Sequence, residues 1–343
     1  MIIRRQVIQL VSRIVAGILV VVFCIGIVGI FRFGAYVKDK TGITPFTTVA
    51  LLLDGESMIH TNDGRVNILL LGIGGGTHDG ADLTDTIIVA SFHIKNKSLA
   101  LISIPRDLWS DTLKDKINSA YHYGEEKRKG GGIPLTKAIV EDVIGIPIHY
   151  SMVYDFSQFA STIDSIGGID VSIESSFTDD QYPIAGKEND LCDGDMTYAC
   201  RYESVHFEKG TEHMNGTRAL QYVRSRHAEG NEGNDFARGK RQQEVILALK
   251  ERIYTLAPWF HPKQASELFG AFDKATDSDM TVAQLIVLGK IMMRLNNTVT
   301  QRISIEPYLI EAPLWQYERY VLEPEESYED IQTFIRTSLG IEN

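Results

Sequence analysis

Two arginines with the spacing of an anion site lie in the stretch Arg218–Gln243, RALQYVRSRHAEGNEGNDFARGKRQQ. Its alternation predicts a strand that carries Leu220, Tyr222, Arg224 and Arg226 on one face. Successive residues on one face of a strand are separated by roughly 7 Å, so both guanidinium groups can reach the same ligand.

A glycine-containing loop follows this strand, and a helix is predicted after it, with Asp235 at the N-cap. Arginines that converge at a helix N-terminus form a site for a polyanion, most economically a phosphate or pyrophosphate. A structural ion-pair network, with Asp235 as a simple cap, is the alternative. The residues on one stripe of the helix are Arg238, Gln242, Val245, Leu249 and Ile253.

Carboxylates gather in the loop after the first predicted strand of the domain. The glycine-rich segment Gly72–Thr77 lacks the third glycine of a dinucleotide motif and has no following G-K-[ST]. Asp79 and Asp85 follow it, and Asp85 directly precedes a buried strand. Carboxylates here can hold Mg²⁺ or Mn²⁺, which complete their coordination with phosphate oxygens. The alternative is that loop aspartates simply favour turns, which is adequate for Asp82.

A further arginine, Arg106, lies just past the end of another predicted strand, in SIPRD. No Ser-His-Asp, G-x-S-x-G or H-E-x-x-H arrangement is present. The net charge of −11 argues against nucleic acid as a partner. The chemistry indicated is electrostatic stabilisation of phosphoryl charge by a metal ion and arginines.

The N-terminus carries an uncharged stretch, Ile14–Phe31, of about 18 residues, the lower limit for a membrane-spanning helix. More basic residues precede it than follow it, which predicts a cytoplasmic N-terminus and an extracytoplasmic domain in the cell membrane. A cleavable signal peptide is the competing interpretation. Outside the cytoplasm Cys192 and Cys200 can form a local disulfide, two free thiols being the alternative.

Strands and helices alternate in the predicted domain, which indicates an α/β fold with a mostly parallel or mixed central sheet between helices. Sites in such sheets lie beyond the carboxyl ends of strands. The predicted strands are Asn67–Ile73, Thr86–Ile94, Leu99–Ile104, Tyr150–Tyr154 and Ile169–Ile173, and the predicted helices are Leu135–Ile144, Phe156–Ile166, Thr281–Leu295 and Tyr328–Leu339.

The predicted organisation divides the chain into five parts. They are a cytoplasmic segment at 1–13, an anchor at 14–33, a stalk at 34–65, a catalytic domain at 66–255, and a C-terminal part at 256–343 that ends the domain or extends it.

Six sequence blocks in order resemble the LytR-CpsA-Psr family. They are NILLLGIGGG…LTDTIIVAS, SIPRDLW, KINSAY, SIGGIDVSI, HMNGTRALQYVRSRH and DFARGKRQQEVI. The resemblance implies an extracytoplasmic phosphotransferase that moves a glycopolymer from a polyprenyl-pyrophosphate carrier onto peptidoglycan through a phosphodiester. It also implies a magnesium ion at the pyrophosphate and an apolar channel for the prenyl chain, for which the helices near 135–165 are the expected lining.

The resemblance carries over to individual positions. Asp85 matches the family's metal-binding aspartate, and Arg106, Arg224, Arg226, Asp235, Arg238 and Gln242 match residues of its motifs. Asp235 is interpreted either as the base or as the group that positions Arg238.

Two positions depart from the family pattern. Gly74 stands where the family commonly has an aspartate, and Leu83 stands where it has an arginine. Asp79 is the expected substitute for the missing carboxylate, by proximity. These departures keep two alternatives open, a hydrolase of polyprenyl pyrophosphates and a non-catalytic, membrane-anchored module that binds the lipid carrier or regulates.

Overall fold

The protein is described here from a computed structural model that covers residues 38, 44–75, 80–184, 186–187, 189–256, 270, 274–293 and 300–341. It divides into two compact units. The smaller consists of Met1–Ile59 with Thr281–Ile291, and the larger of His60–Met280 with Met292–Asn343. The predicted anchor at 14–33 lies outside the described residues, among which no helix combines the length and apolar character needed to cross a bilayer.

The helices match the predicted pattern in most places. Tyr328–Leu339 has the predicted bounds, whereas the helix predicted at Leu135–Ile144 begins three residues earlier. The α-helices are α1 Pro45–Asp54, α2 Ala120–Lys127, α3 Gly132–Ile144, α4 Phe159–Ser165, α5 Gly216–Arg224, α6 Asp235–Leu256, α7 Val282–Met293, α8 Leu314–Tyr317 and α9 Tyr328–Leu339.

Five of the six predicted strands of the domain are present within two residues of their predicted ends. The strands are β1 Arg65–Ile73, β2 Thr84–His93, β3 Ser98–Ser103, β4 Trp109–Ser110, β5 Asp115–Lys116, β6 Tyr150–Asp155, β7 Ile169–Ile173, β8 Phe177–Pro183, β9 Tyr202–Phe207, β10 Gly210–Met214, β11 Thr276–Ser278, β12 Thr300–Ser304, β13 Leu309–Glu311 and β14 Leu322–Pro324.

In the smaller unit, α1 begins where the sequence provides a start signal. Thr44 caps the helix by accepting a hydrogen bond from the backbone N–H of Thr47 (3.2 Å), and Pro45 occupies the first turn. Lys290 of α7 forms an ion pair with Glu56 (3.2 Å).

A six-stranded sheet in the order β11-β6-β1-β2-β3-β12 forms the centre of the larger unit. The pairs β1–β6 and β3–β12 are parallel and the other three are antiparallel, so the sheet is mixed. The α/β fold with a mixed central sheet is confirmed. β1 is almost entirely buried, as its continuous apolar sequence predicts for a strand covered on both faces.

Two apolar cores stabilise the larger unit. The first joins β1, β2 and β3 to α3 and α9, with Leu69, Ile139 and Ile335 fully buried. The second joins α4, α5 and strands β7 to β10, with Phe207 and Tyr222 at its centre. Because β12 pairs with β3 and α9 fills the first core, the residues beyond 300 complete the sheet and the core of this unit.

The strand predicted at Leu220–Arg226 is wrong, because Gly216–Arg224 forms α5. Asn215 caps the helix through its side chain, which accepts from the backbone N–H of Arg218 at 2.9 Å. Its buried residues are Gly216, Ala219, Tyr222 and Val223, which recur at the helical spacing of three and four, so the period-2 interpretation had the wrong period.

Cys192 and Cys200 are joined by a disulfide in the connection between β8 and β9. The bond closes a short exposed loop, in which Met196 is largely exposed to solvent.

Candidate functional site

Two cavities of the larger unit share part of their walls. The large cavity, of about 640 Å³, lies between α6 and the ends of β3 and β12. The small cavity, of about 50 Å³, is lined by Gly74, Arg224 and Arg226, among others. Asp85, Arg238 and Gln242 line both cavities, so the two form one continuous site.

Asp85 lies in the wall between the cavities, near the start of β2. The register of β1 against β2 shifts at Gly72–Ile73, opposite Thr84 and Thr86. Such a bulge re-aims a side chain at the end of a strand. The Oδ1 atom of Asp85 accepts from Arg106 Nη1 at 2.5 Å, and its Oδ2 atom has no hydrogen bond or ion pair among the described residues.

The buried carboxylate of Asp107 fixes the position of Arg106. Asp107 accepts from Arg106 Nε at 3.3 Å and forms an ion pair with Lys116 Nζ at 2.6 Å. One oxygen of the Asp107 carboxylate binds Lys116 and the other binds Arg106. The carboxylate thereby fixes the Arg106 guanidinium, whose Nη1 atom binds Asp85 at the cavity.

Arg238 reaches the same place from the first turns of α6. The cap of this helix is Asn234, whose side chain accepts from the backbone N–H of Ala237 at 2.8 Å, and Asp235 is the first helical residue. The predicted N-cap is therefore one residue too late. Arg238 is buried, and its Nη2 donates to the backbone oxygen of Asp85 at 3.2 Å.

Arg224 and Arg226 project from the C-terminal end of α5, not from a strand. Both side chains are exposed, and neither makes a hydrogen bond or ion pair with another described residue. The backbone N–H groups of Arg226 and His227 donate to the buried Asp179 carboxylate, at 2.9 and 3.2 Å. Asp179 therefore fixes the backbone, while the two guanidinium groups are available for an anion.

Arg241 fixes the same segment from the other side. Its side chain, in a residue only 1% exposed, donates to the backbone oxygens of Tyr222 at 3.1 Å and Ser225 at 2.5 Å. It also pairs with the Glu232 carboxylate at 3.2 Å. Burial lowers the pKa of Arg241 from its ordinary value, and the charge of Glu232 opposes that shift. Sequence reasoning missed Arg241, because it lies off the predicted stripe of α6.

A carboxylate not predicted from the sequence lies beside the glycine loop. Asp155 ends β6, which is parallel to β1, and its Oδ1 accepts from the backbone N–H of Ser157 at 2.7 Å. A side chain at Gly75 would collide with this carboxylate, and Gly75 has a φ of +69°, so glycine is required there on both counts. The neighbouring Gly74 faces the small cavity.

The inner end of the large cavity is charged as well as apolar. Glu174 pairs with Lys240 at 2.8 Å and with Arg302 at 2.9 Å, and both cations line the cavity. The walls of this cavity come from β2, β3, α6 and β12, so the apolar channel expected along the helices near 135–165 is not this cavity and stays a prediction. The apolar side of α3 is instead consumed in the first core.

The structure thus brings together Asp85, Arg106, Arg224, Arg226, Arg238 and Gln242 around the two cavities. Asp79 lies outside the described residues, and of Asp235 only the backbone position is described. Among the residues that the structure describes, no histidine or cysteine lines either cavity. Among the described lining residues, five arginines and Lys240 outnumber the three carboxylates of Asp85, Glu232 and Glu306, so the site has a local positive charge, which suits a ligand with several anionic oxygens.

An α/β domain with arginines gathered beyond the ends of its strands offers a site for a ligand with several anionic oxygens. The sequence model of the LytR_cpsA_psr family matches residues 40–333, and the chain belongs to that family. The family resemblance of the six sequence blocks is confirmed.

Relatives with assigned names are similar over most of the chain. A protein of Bacillus cereus named polyisoprenyl-teichoic acid–peptidoglycan teichoic acid transferase TagU is 27% identical over 282 residues, 80% of this chain and 79% of the relative. The transferase TagV of Bacillus subtilis, with the same descriptive name, is 34% identical over 176 residues, 50% of this chain and 39% of the relative.

Solved structures show the same fold. The crystal structure of Bacillus subtilis TagV superposes with a TM-score of 0.57 at 25% identity and covers 82% of this chain and 100% of its own. A structure of TagT bound to LI-WTA superposes with a TM-score of 0.55 at 21% identity, covering 82% of this chain and 94% of its own.

Proposed function

We propose that this protein is an extracytoplasmic phosphotransferase that moves a glycopolymer from a polyprenyl-pyrophosphate carrier onto peptidoglycan through a phosphodiester. The observation that carries the proposal is the convergence of four arginines, two of them without a partner among the described residues, on two adjoining cavities. The family and the names of its relatives supply the substrate class.

The proposed role of each arginine follows from its position in the site. Arg224 and Arg226 bind the outer oxygens of the pyrophosphate, because they are exposed and unpaired at the mouth of the small cavity. Arg106 and Arg238, both held against Asp85, stabilise the charge that builds on the leaving polyprenyl phosphate. A hydroxyl of peptidoglycan attacks the phosphorus that bears the glycan, and its proton passes to a base, for which Asp235 is the candidate from the family motif.

A divalent cation fits the donor set only with help from the substrate. Within the described residues the one cluster of three metal-binding groups is Asp190 with Cys192 and Cys200, and the disulfide consumes both thiols. Asp85 offers an unpaired Oδ2 to the cavity, and Mg²⁺ is often bound by one or two carboxylates plus phosphate oxygens. Asp85 would therefore hold Mg²⁺ or Mn²⁺, and the bound ion would neutralise pyrophosphate charge.

Gly74 stands where the family commonly has a metal-binding aspartate, and two carboxylates are candidates for that second ligand. They are Asp79 in the glycine loop and Asp155, which lies against Gly75. We expect the true second ligand, when changed to Asn, to weaken Mn²⁺ binding about 10-fold or more, and the other change to leave it within about 2-fold. Paramagnetic resonance of free Mn²⁺ in the presence of pyrophosphate measures this without any turnover. Equal affinity in both variants would mean that Asp85 binds the ion without either.

Turnover by the full-length chain tests the function directly. The chain, reconstituted in nanodiscs, is incubated with a polyprenyl-pyrophosphate oligosaccharide and peptidoglycan fragments, with and without Mg²⁺, and products are followed by mass spectrometry. A phosphodiester adduct is the expected product. Release of polyprenyl phosphate without an adduct would favour the hydrolase, and binding without turnover would favour the carrier-binding module.

We predict that Arg226→Ala lowers transfer by about 10- to 100-fold, the scale for removal of one charge-assisted hydrogen bond to a pyrophosphate oxygen. The fold should be unaffected, because the Arg226 side chain is exposed and its backbone stays bound to Asp179. Arg201→Ala is the matched control, since Arg201 stacks on Tyr198 in the disulfide-closed region. Near-normal transfer by Arg226→Ala would contradict the role given to it.

A further inference from the structure

An exposed aromatic surface lies in the connection between β13 and β14. It consists of Leu314, Trp315, Tyr317 and Tyr320, with Trp109 beneath Tyr317, and we refer to this set as the aromatic surface. Trp315 is 82% exposed, Leu314 67% and Tyr320 40%. Single exposed apolar residues are ordinary, but several large ones within one short connection are typical of a surface that binds a partner.

Contacts hold the base of the aromatic surface in place. The rings of Trp109 and Tyr317 lie 4.1 Å apart between centroids in a tilted arrangement, and Tyr317 donates its hydroxyl to Glu323 at 2.5 Å. Arg319 lies 5.9 Å from the Trp109 ring and pairs with Asp115 at 2.5 Å. A preordered platform loses little conformational entropy when a partner binds to it.

The aromatic surface is continuous with the site. Lys116 lies 6.0 Å from the Tyr320 ring, and the same ammonium group binds Asp107, which orients Arg106. The backbone N–H of Leu322, at the end of the connection, donates to the backbone oxygen of Asp107 at 3.0 Å. A molecule lying on the aromatic surface is thus held beside Arg106.

The charges around the aromatic surface select the partner. Residues 306–330 contain eight acidic side chains and a single basic one, Arg319. This excess repels an anionic lipid headgroup or a polyanionic polymer. The flat, electron-rich ring faces attract the polarised C–H groups of a sugar ring, and nearby carboxylates accept its hydroxyl and amide protons.

From this combination we infer that the aromatic surface binds the uncharged glycan strand of peptidoglycan and presents the acceptor to the site. The assignment rests on the proposed function for the identity of the acceptor. The binding itself is measured without any turnover.

The test is sedimentation of the full-length chain, in phosphatidylcholine nanodiscs, with purified peptidoglycan sacculi stripped of teichoic acid. We expect Trp315→Ala to weaken binding at least 5-fold and Trp315→Phe to retain most of it, because the phenyl ring preserves an aromatic face. The matched control is Met196→Ala, which removes a side chain of the same 82% exposure from the disulfide-closed loop. Circular dichroism checks the fold of each variant.

Binding of the polyprenyl-pyrophosphate carrier, measured without acceptor, should be unchanged in Trp315→Ala. Sacculus binding and carrier turnover separate the two proposals, because a wild-type chain that binds sacculi but never turns over carrier would leave the aromatic surface standing and remove the transferase. If a Trp315→Ala, Tyr320→Ala double variant bound sacculi as tightly as the wild-type chain does, the inference would be overturned. A blue shift of Trp315 emission in nanodiscs of anionic lipid, with no effect of sacculi, would equally overturn it in favour of a membrane surface.

Discussion

His122 and Asp82 form an ionisable pair at the edge of the glycine loop. The Nδ1 atom of His122 lies 2.8 Å from Asp82 Oδ2, and both side chains are partly exposed. The hydrogen bond to Asp82 raises the pKa of His122 above its ordinary value, burial opposes that shift, and the negative charges of Asp82 and Glu126 support it.

We predict that Asp82→Asn returns the pKa of His122 toward its ordinary value of about 6.5. A pKa raised on folding stabilises the fold fully below about pH 6.5, and that contribution is lost as the pH rises through the folded pKa. The loss of stability in Asp82→Asn should therefore be present at pH 5.5 and shrink as the pH rises above the folded pKa.

Proton NMR titration of His122 and melting curves at several pH values make these measurements. Asp111→Asn, at an exposed position nearby in sequence, is the control and should leave the His122 titration unchanged. A pKa of His122 that is the same with and without Asp82 would contradict the assignment.

At the residue scale, the sequence predicted the side chains that line the site better than the residues that hold them in position. Arg106, Arg224, Arg226 and Arg238 were selected by their motifs, and all four line the site. Asp179 and Arg241, which fix the backbone that carries Arg224 and Arg226, gave no signal in the sequence. Their roles depend on contacts between segments that are far apart in the chain, which periodicity does not reveal.

At the element scale, the geometry of the site depends on how α5 meets α6. Arg241 of α6 binds the backbone oxygens of Tyr222 and Ser225, at the C-terminal end of α5. One guanidinium thus joins the helix that supplies Arg238 to the helix that supplies Arg224. Neither helix can shift without breaking a buried, charge-assisted hydrogen bond.

We predict that Arg241→Met costs about 3 kcal/mol of unfolding free energy, because it leaves buried oxygens and the Glu232 carboxylate without their partner. At a temperature where the variant is still folded, binding of inorganic pyrophosphate should weaken at least about 10-fold, since Arg224 and Arg226 lose their fixed position.

Denaturant unfolding and calorimetric titration with pyrophosphate are the two measurements. Arg252→Met serves as control, because Arg252 binds only backbone oxygens at Ile166 and Gly167, away from both cavities. Unchanged pyrophosphate affinity in folded Arg241→Met would refute the positioning role and leave only a structural one.

The sequence predicted strands and helices correctly where one regular pattern of burial applies, either both faces of a strand or one stripe of a helix. β1 was found because it is covered on both faces, and α9 because Ile331, Ile335 and Leu339 follow the helical period. The strand prediction for α5 is wrong because the residues over Leu220–Arg226 also fit a period of two. The sequence signal that favours the helix is Asn215, a typical N-cap residue.

At the scale of the whole molecule, the predicted topology places the N-terminus in the cytoplasm and the described units outside. We expect a membrane-impermeant maleimide to label Leu53→Cys in intact cells, since Leu53 is 78% exposed, and to leave Gln6→Cys unlabelled. Background labelling should be low, because Cys192 and Cys200 are bonded to each other and Cys24 lies in the predicted span. Labelling of Gln6→Cys alone would reverse the topology.

The general architecture followed from the order of strands and helices, but the closure of the sheet did not. β12 is a short strand with mostly exposed residues, so it carries little apolar pattern. Its place beside β3 is decided by pairing in space, which a local pattern does not encode.

That pairing has a consequence for the order of assembly. Thr300 pairs with Leu99, about 200 residues earlier in the chain, and until then one edge of β3 has no partner strand. Contacts so distant along the chain form slowly, and an open strand edge invites association with other chains. During synthesis from the N-terminal end, the wall of the large cavity at Arg302 would therefore form late, after about 300 residues have emerged.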